Sequence, residues 1–420
     1  MPRTVSYRFE AWDMLQHLFK VKSISDHTLR FVAKFSCKLD LNRLKKAVNI
    51  SAKAFPFVRS TLNENRFRPR WEDKGYTADD MVRFLETSSV DESVNRFICK
   101  GVDAFTGPQL MIEVIRNENF DTLCISINHM LCDAAGFKDY LYILSDIYIN
   151  IDNEPNYKPA AMGDRKISQI FKTFSLQDKL KIMFSKNDIL THDLAKFEFE
   201  GDISNPFIEK LTVSKESFCR LKDYAKEHNA TVNDVILTAY MRVLFQIFDH
   251  PIIVPCVVDL RKYLPNRRAK GICNLCSNLI CNIGSDIGMS FEQTLYKVKQ
   301  VMDKQKADIS CIKSLAIMEM VFDILPYKFA RYLVNKSYSN ANIEFTNIGI
   351  LDRARLAFGK IEITEAYMAG SIKYAPCFEL AVSTFDDRAT FCVNLHGTQS
   401  DRNIISHFLN ELVLELQNAM

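Results

Sequence analysis

Asn128-His129-Met130-Leu131-Cys132-Asp133-Ala134-Ala135-Gly136 is the stretch on which the fold turns. It lies between two elements of different periodicity. Ahead of it, Asp121–Asn128 is dense in apolar and β-branched residues and reads as a strand, joined to a second strand, Gln109–Arg116, by a turn at Asn117-Glu118-Asn119-Phe120. Behind it, Phe137, Leu141, Leu144 and Tyr148 recur at helical spacing, which marks an amphipathic helix from Ala134 to about Asn150. His129 therefore stands at the C-terminal end of a strand, the place where open α/β sheets bind ligands. Two readings of the junction follow. His129 faces a crevice and takes a proton there, or it closes the strand on a backbone bond while Asp133 caps the next helix. Spacing alone does not separate them, because 8 His residues and ordinary Asp usage give roughly 0.4 HxxxD matches by chance.

Working outward, Asp40–Phe55 carries Leu41, Leu44, Val48 and Ala52 on one helical face, with Asp40 as its cap and Pro56 as its stop. Phe57–Leu62 and Arg66–Arg70 read as a short hairpin. From Asn150 to about Lys166 the chain is polar, contains Pro155 and Pro159 and lacks periodicity, as a linker does. Beyond it, Ser214 opens a helix to about His228, and Thr231-Val232-Asn233-Asp234 forms a capping box ahead of a longer helix to Phe248. Ile252–Val258 has the continuous apolar character of a strand buried on both faces. Further strands are expected at Leu279–Ile283, Ile343–Asn347, Phe378–Phe385 and Thr390–Leu395, the last two turning at Asp386-Asp387. Helices are expected at Phe291–Asp308 and Ile404–Ala419. The expected class is α/β (α+β), with residues 1–155 as a first lobe, 156–170 as a linker and 171–420 as a second lobe.

Composition bounds the rest. The 420 residues are 47% hydrophobic and 25% charged, the proportions of a globular protein long enough for large cores. Lys+Arg 54 against Asp+Glu 51 leave a net charge of +3, too balanced for the dense basic face that nucleic acid requires. No apolar run reaches the length of a membrane span; Val235–Phe248 is broken by Arg242 and Gln246. Charge in the first ten residues sits where a signal peptide needs its apolar region, so a cytoplasmic location is expected. The 12 cysteines are scattered and mostly lie in apolar runs, like buried thiols. Only Cys273 and Cys276 form a CxxC, without a second pair or a nearby His, and no metal is expected. Nucleophile elbows, phosphate loops, dinucleotide fingerprints and helical zinc motifs do not occur.

HxxxD directly after a strand resembles the signature of the CoA-dependent acyltransferase superfamily. Other segments resemble its condensation-domain and alcohol-acyltransferase branch in the same order. These are Leu39–Leu62, Ala230–Ala239, Val258-Asp259-Leu260-Arg261, Asn274–Asn278 and Phe345–Gly349. The resemblance runs from about residue 35 to 400. Three positions depart from it: Asn128 replaces the first of two adjacent histidines, Ala134 replaces a glycine that recurs here at Gly136, and Asn274-Leu275-Cys276-Ser277-Asn278 replaces GxxxN.

The resemblance implies two chloramphenicol-acetyltransferase-like lobes, each a mixed sheet with helices, and an active-site tunnel between them. His129 would be the general base, and Asp133 would turn away from substrate to pair with Arg261. Asn278, with Asn128, Gly136 and Thr346 behind it, is a candidate for substrate binding or the oxyanion; the alternative for each is a structural bond in a turn. Met130, Leu131 and Phe137 either line an acyl pocket or belong to the core. No permanently bound cofactor is implied. The co-substrate is an acyl-CoA or a phosphopantetheine thioester, the acceptor a small alcohol or amine, and the protein a monomer with an acyl-carrier protein as an alternative partner. Two other functions fit the same residues: a free-standing condensation domain using carrier-bound substrates, and a catalytically silent relative that binds a carrier or small molecule.

Overall fold

Every residue of Asp121–Asn128 is buried, because this strand is central in its sheet and covered on both faces. The structure, a computed structural model, describes residues 5–64, 67–151, 163–185, 195–284 and 290–420. Asp121–Asn128 pairs antiparallel with Thr28–Phe35 on one side and Leu110–Arg116 on the other. Val82–Glu86 adds a parallel edge beyond Leu110–Arg116. The opposite edge comes from the far half of the chain: Ile363–Ala369 pairs with Thr28–Phe35 and completes a five-stranded mixed sheet. The helices Leu41–Ala54 and Ala134–Asn150 form where periodicity places them, with Asp40 and Asp133 as their caps.

The second sheet is also mixed. Its main path runs Cys276–Cys281, Val254–Asp259, Ile343–Ile350, Phe378–Phe385, Arg388–His396, Lys373–Tyr374, and Pro206–Thr212 also pairs with Arg388–His396. Phe378–Phe385 and Arg388–His396 turn through Asp386 and Asp387, at φ 46° and 57°. Two successive positive φ values give a turn whose twist matches the flanking strands, and Asp tolerates them. Thr231 and Asp234 form the expected capping box at the head of Val232–Phe248.

Some expectations need correction. The hairpin after Pro56 begins later, because Pro56–Arg59 forms a 3₁₀ turn and Ser60–Asn63 is the strand that pairs with Arg70–Asp73. The strand expected from Ile252 starts at Val254, and it is not buried on both faces: Val257 is 39% exposed and lines a cavity. Cys276–Cys281 begins three residues before the expected Leu279. Within the expected linker, residues 152–162 lie outside the described residues. The remainder packs tightly, with Arg165, Ile167 and Ile170 buried. The helices Ala11–Val21, Val90–Ile98, Leu176–Phe184, Lys313–Ile324 and Tyr327–Ser337 were not foreseen.

The apolar side chains form two cores, one around the five-stranded sheet and one around the seven-stranded sheet. The first core draws on both halves of the chain, since Leu260, Cys273, Leu315, Leu356 and Phe358 join it. No helix of the described residues is long and apolar enough to cross a membrane.

Candidate active site

Between the sheets and the helices Ala11–Val21, Lys313–Ile324 and Tyr327–Ser337 lies a cavity of about 800 Å³. That volume falls in the range of small-molecule and cofactor sites. Trp12, Leu15, Phe19, Met318 and Val334 give it apolar wall, and His129, Asn278, Thr346, Glu344 and Lys373 give it polar wall.

His129 reaches this cavity because its strand ends there. Its backbone N–H donates to the His27 carbonyl at 2.8 Å, and its own carbonyl accepts from Asn274 Nδ2 at 3.0 Å. The ring's Nδ1 is buried, without a hydrogen-bond partner of good geometry. The residue's own carbonyl acts on the ring as well, favouring its charged form. Burial holds the imidazole below its usual 6.5, with that carbonyl and Asp133 pulling the other way. At neutral pH the ring is uncharged.

The loop that carries His129 is clamped from three sides. Asn274 Nδ2 also donates to the Met130 carbonyl at 3.1 Å. Arg165 Nη2 donates to the carbonyls of Met130 and Leu131 at 3.1 and 3.3 Å, while it pairs with Asp13 at 2.7 Å. Asp133 supplies the third hold. It caps Ala134–Asn150 by accepting from the Gly136 N–H at 2.8 Å, accepts from the Leu275 N–H at 2.6 Å, and takes two bonds from Arg261. Burial alone would raise the Asp133 carboxyl; Arg261 and the two N–H donors outweigh it and hold it below the usual range. Asp133 is thus a fixed anion with its oxygens engaged by protein, although its edge touches the cavity.

The other sequence candidates separate clearly. Asn278 is exposed on Cys276–Cys281 and lines the cavity, as does Thr346. Neither side chain has a protein hydrogen-bond partner among the described residues, so both donors are open to a ligand. Asn128 is different: it is fully buried, its Nδ2 donates to Gln109 Oε1 at 2.7 Å, and its Oδ1 accepts from the Met130 N–H at 2.8 Å. It braces the strand end and does not face the cavity. Gly136 does not face it either. A Cβ there would stand 2.8 Å from the Cys273 carbonyl and 2.9 Å from Cys132 Cβ, so glycine lets the helix meet the Cys273 loop closely. Met130, Leu131 and Phe137 belong to the core. Cys273 is buried with its thiol pushed up to about 12 by desolvation. Sequence reasoning missed Arg165, Asn274's grip on the histidine loop, and His27. Arg165 had a signal, an arginine flanked by Ile167 and Ile170, but it lay in a stretch read as linker.

With this geometry in view, comparison with known proteins places the fold. Residues 273–402 match the WS/DGAT C-terminal domain family. No curated protein matches the sequence. Among solved structures, the first condensation domain of the calcium-dependent antibiotic synthetase superposes with a TM-score of 0.72 at 12% identity, covering 99% of this chain and 97% of that one. Trichothecene 15-O-acetyltransferase from Fusarium sporotrichioides gives 0.71 at 11% identity, covering 99% and 95%. Polyketide synthase associated protein 5 from Mycobacterium tuberculosis gives 0.66 at 13% identity, covering 99% of both. The chain has the mixed α/β, chloramphenicol-acetyltransferase-like fold of these solved structures.

Proposed function

We propose that the protein is an acyltransferase, moving an acyl group from a thioester to a hydroxyl or amine acceptor with His129 as general base. One observation carries this reading: a neutral histidine on the wall of an 800 Å³ cavity, on a loop clamped by Asn274, Arg165 and the Asp133–Arg261 pair. The match of residues 273–402 to a domain of CoA-dependent acyltransferases supports it, as does the shared fold with an O-acetyltransferase.

The chemistry follows from the ring. In this reading the ring carries its proton on the buried Nδ1 and presents the Nε2 lone pair to the cavity. Nε2 takes the acceptor's proton as its oxygen or nitrogen attacks the thioester carbonyl. The C–S bond then breaks, and the proton passes to the departing thiolate, which leaves as free thiol. Asn278 and Thr346 are our candidate side-chain donors for the oxyanion. Asp133 and Arg261 position the loop and transfer no proton. The donor is a thioester of CoA or of a carrier's phosphopantetheine arm, which present the same reacting group.

Incubation of the full chain with acyl-CoAs and acyl-carrier proteins, each with a panel of alcohols and amines, tests this by mass spectrometry. A new ester or amide together with free thiol is the expected product, and the donor that works identifies its source. Binding of thioester and acceptor without any transfer would favour the catalytically silent reading.

A further inference from the structure

Part of the cavity wall is charged, away from the motif that carries His129. Lys373 Nζ lies 3.0 Å from Glu344 Oε2 and 3.3 Å from Glu379 Oε2, and all three residues line the cavity. Lys373 is only 7% exposed. Burial raises the Glu344 carboxyl, with Glu379 acting in the same direction and Lys373 opposing both. Two carboxylates against one ammonium leave an excess negative charge. Each carboxylate spends one oxygen on Lys373, and the second oxygen of each has no protein donor among the described residues.

A separate feature points to a ligand at this place. Ser371, 5% exposed, lines the same cavity, and its buried hydroxyl has no hydrogen-bond partner. Such a group is costly to leave unmade, and a bound molecule with its own hydrogen-bonding group removes the cost. The patch also adjoins the reacting histidine. Residues 24–27 link the two: the Asp26 N–H donates to the Ile372 carbonyl at 2.9 Å, the Tyr374 N–H to the Ile24 carbonyl at 3.1 Å, and the His129 N–H to the His27 carbonyl.

Resting on the acyltransferase reading, we propose that Glu344, Glu379 and Ser371 form an acceptor subsite for a cationic ammonium group. The acceptor is then an amino alcohol or a diamine. The nitrogen held by the carboxylates stays protonated and takes no part in the reaction. The far hydroxyl or neutral amine is the nucleophile; it loses its proton through His129 to the thiolate, and the ammonium charge is the same in substrate and product. An uncharged alcohol of equal length fits the space but leaves the excess carboxylate charge desolvated without a counter-ion.

Isothermal titration of the full chain with 6-amino-1-hexanol and with 1,6-hexanediol at matched ionic strength reads the subsite without catalysis. The amino alcohol is expected to bind about 10- to 100-fold more tightly, the range of one charge-assisted hydrogen bond. That preference is expected to collapse in Glu379→Gln and Glu344→Gln, and the ratio of kcat/KM for the two acceptors is expected to follow it. The wild-type comparison needs no variant, so poor folding of either leaves the test intact. Equal affinities in the wild type, or a preference that survives both substitutions, overturn the subsite. Carboxylate-dependent binding with no acylation of any acceptor leaves the subsite standing and removes the acyltransferase reading. Acylation of both acceptors without preference does the reverse.

Discussion

Arg261 and Asp133, 128 positions apart in sequence, face each other end to end: Nη1 donates to Oδ2 at 3.0 Å and Nη2 to Oδ1 at 2.9 Å. Both residues are buried, at 3% and 5% exposure. Arg261 Nη2 also donates to the Cys273 carbonyl at 2.8 Å, and Nη1 to Asp259 Oδ1 at 3.0 Å. The pair ties the end of Val254–Asp259 in the second sheet to the helix cap that follows His129. Removing Arg261 strands the Asp133 charge in the interior, and removing Asp133 leaves Arg261 only the half-exposed Asp259, so each of Asp133→Ala and Arg261→Ala is expected to cost about 3–5 kcal/mol. The double variant should lose less than the sum, since no charge is then left unpaired. Chemical denaturation of the four proteins measures this; strictly additive losses would mean that Asp133 acts as a helix cap alone.

Gly136→Ala is expected to destabilise, against the usual gain of about 1 kcal/mol for alanine over glycine in a helix. Its Cβ would meet the Cys273 carbonyl at 2.8 Å, the same carbonyl that Arg261 bonds. Overpacking of this kind costs about 1–3 kcal/mol. Thermal melts check the sign. A variant as stable as the parent would show that the Cys273 loop gives way freely.

His27 is 1% exposed, and both its ring nitrogens are buried without hydrogen-bond partners. Desolvation, the main cause, lowers its pKa to about 3. Unfolding returns it to an ordinary value of about 6.5, so between these two values the unfolded chain binds a proton that the folded chain does not. Stability from burying the neutral ring is complete above about pH 6.5. It is lost as pH falls toward 3, by at most about 1.4 kcal/mol per pH unit. His27→Gln is therefore expected to gain on the parent, in relative melting temperature, as buffer pH drops from 7 to 5. Parallel curves over that range would mean that His27 is not buried as a neutral ring.

How much of this was legible beforehand depended on where the deciding contacts lie. The strand Asp121–Asn128, the helix behind it and the capping box at Thr231 and Asp234 are local patterns, and each formed as read. The Asp133–Arg261 pair is not local, and only the resemblance put the two together. Thr28–Phe35 escaped notice because it places Arg30, a fully buried charge, in the middle of a strand. Arg30 is tolerated there by its pairing with Asp26 and by the carbonyls of Thr28 and Gly370. The helices Lys313–Ile324 and Tyr327–Ser337 were missed for another reason. Ile324, Phe329 and Tyr332 are exposed while Leu315, Phe322 and Val334 are buried, so apolar residues on both faces blur the helical stripe. The charged wall of the cavity gathers Glu344, Lys373 and Glu379 from three strands, and no sequence window contains that meeting.

The most direct test of the central claim is the rate of acyl transfer by His129→Ala, set beside the wild type with the best donor and acceptor from the mass-spectrometric panel. Loss of the general base is expected to lower kcat by about 10²–10⁴-fold. The melting temperature should change little, because the ring borders a cavity and its Nδ1 has no hydrogen-bond partner. A folded variant that transfers acyl groups as fast as the wild type would contradict the account.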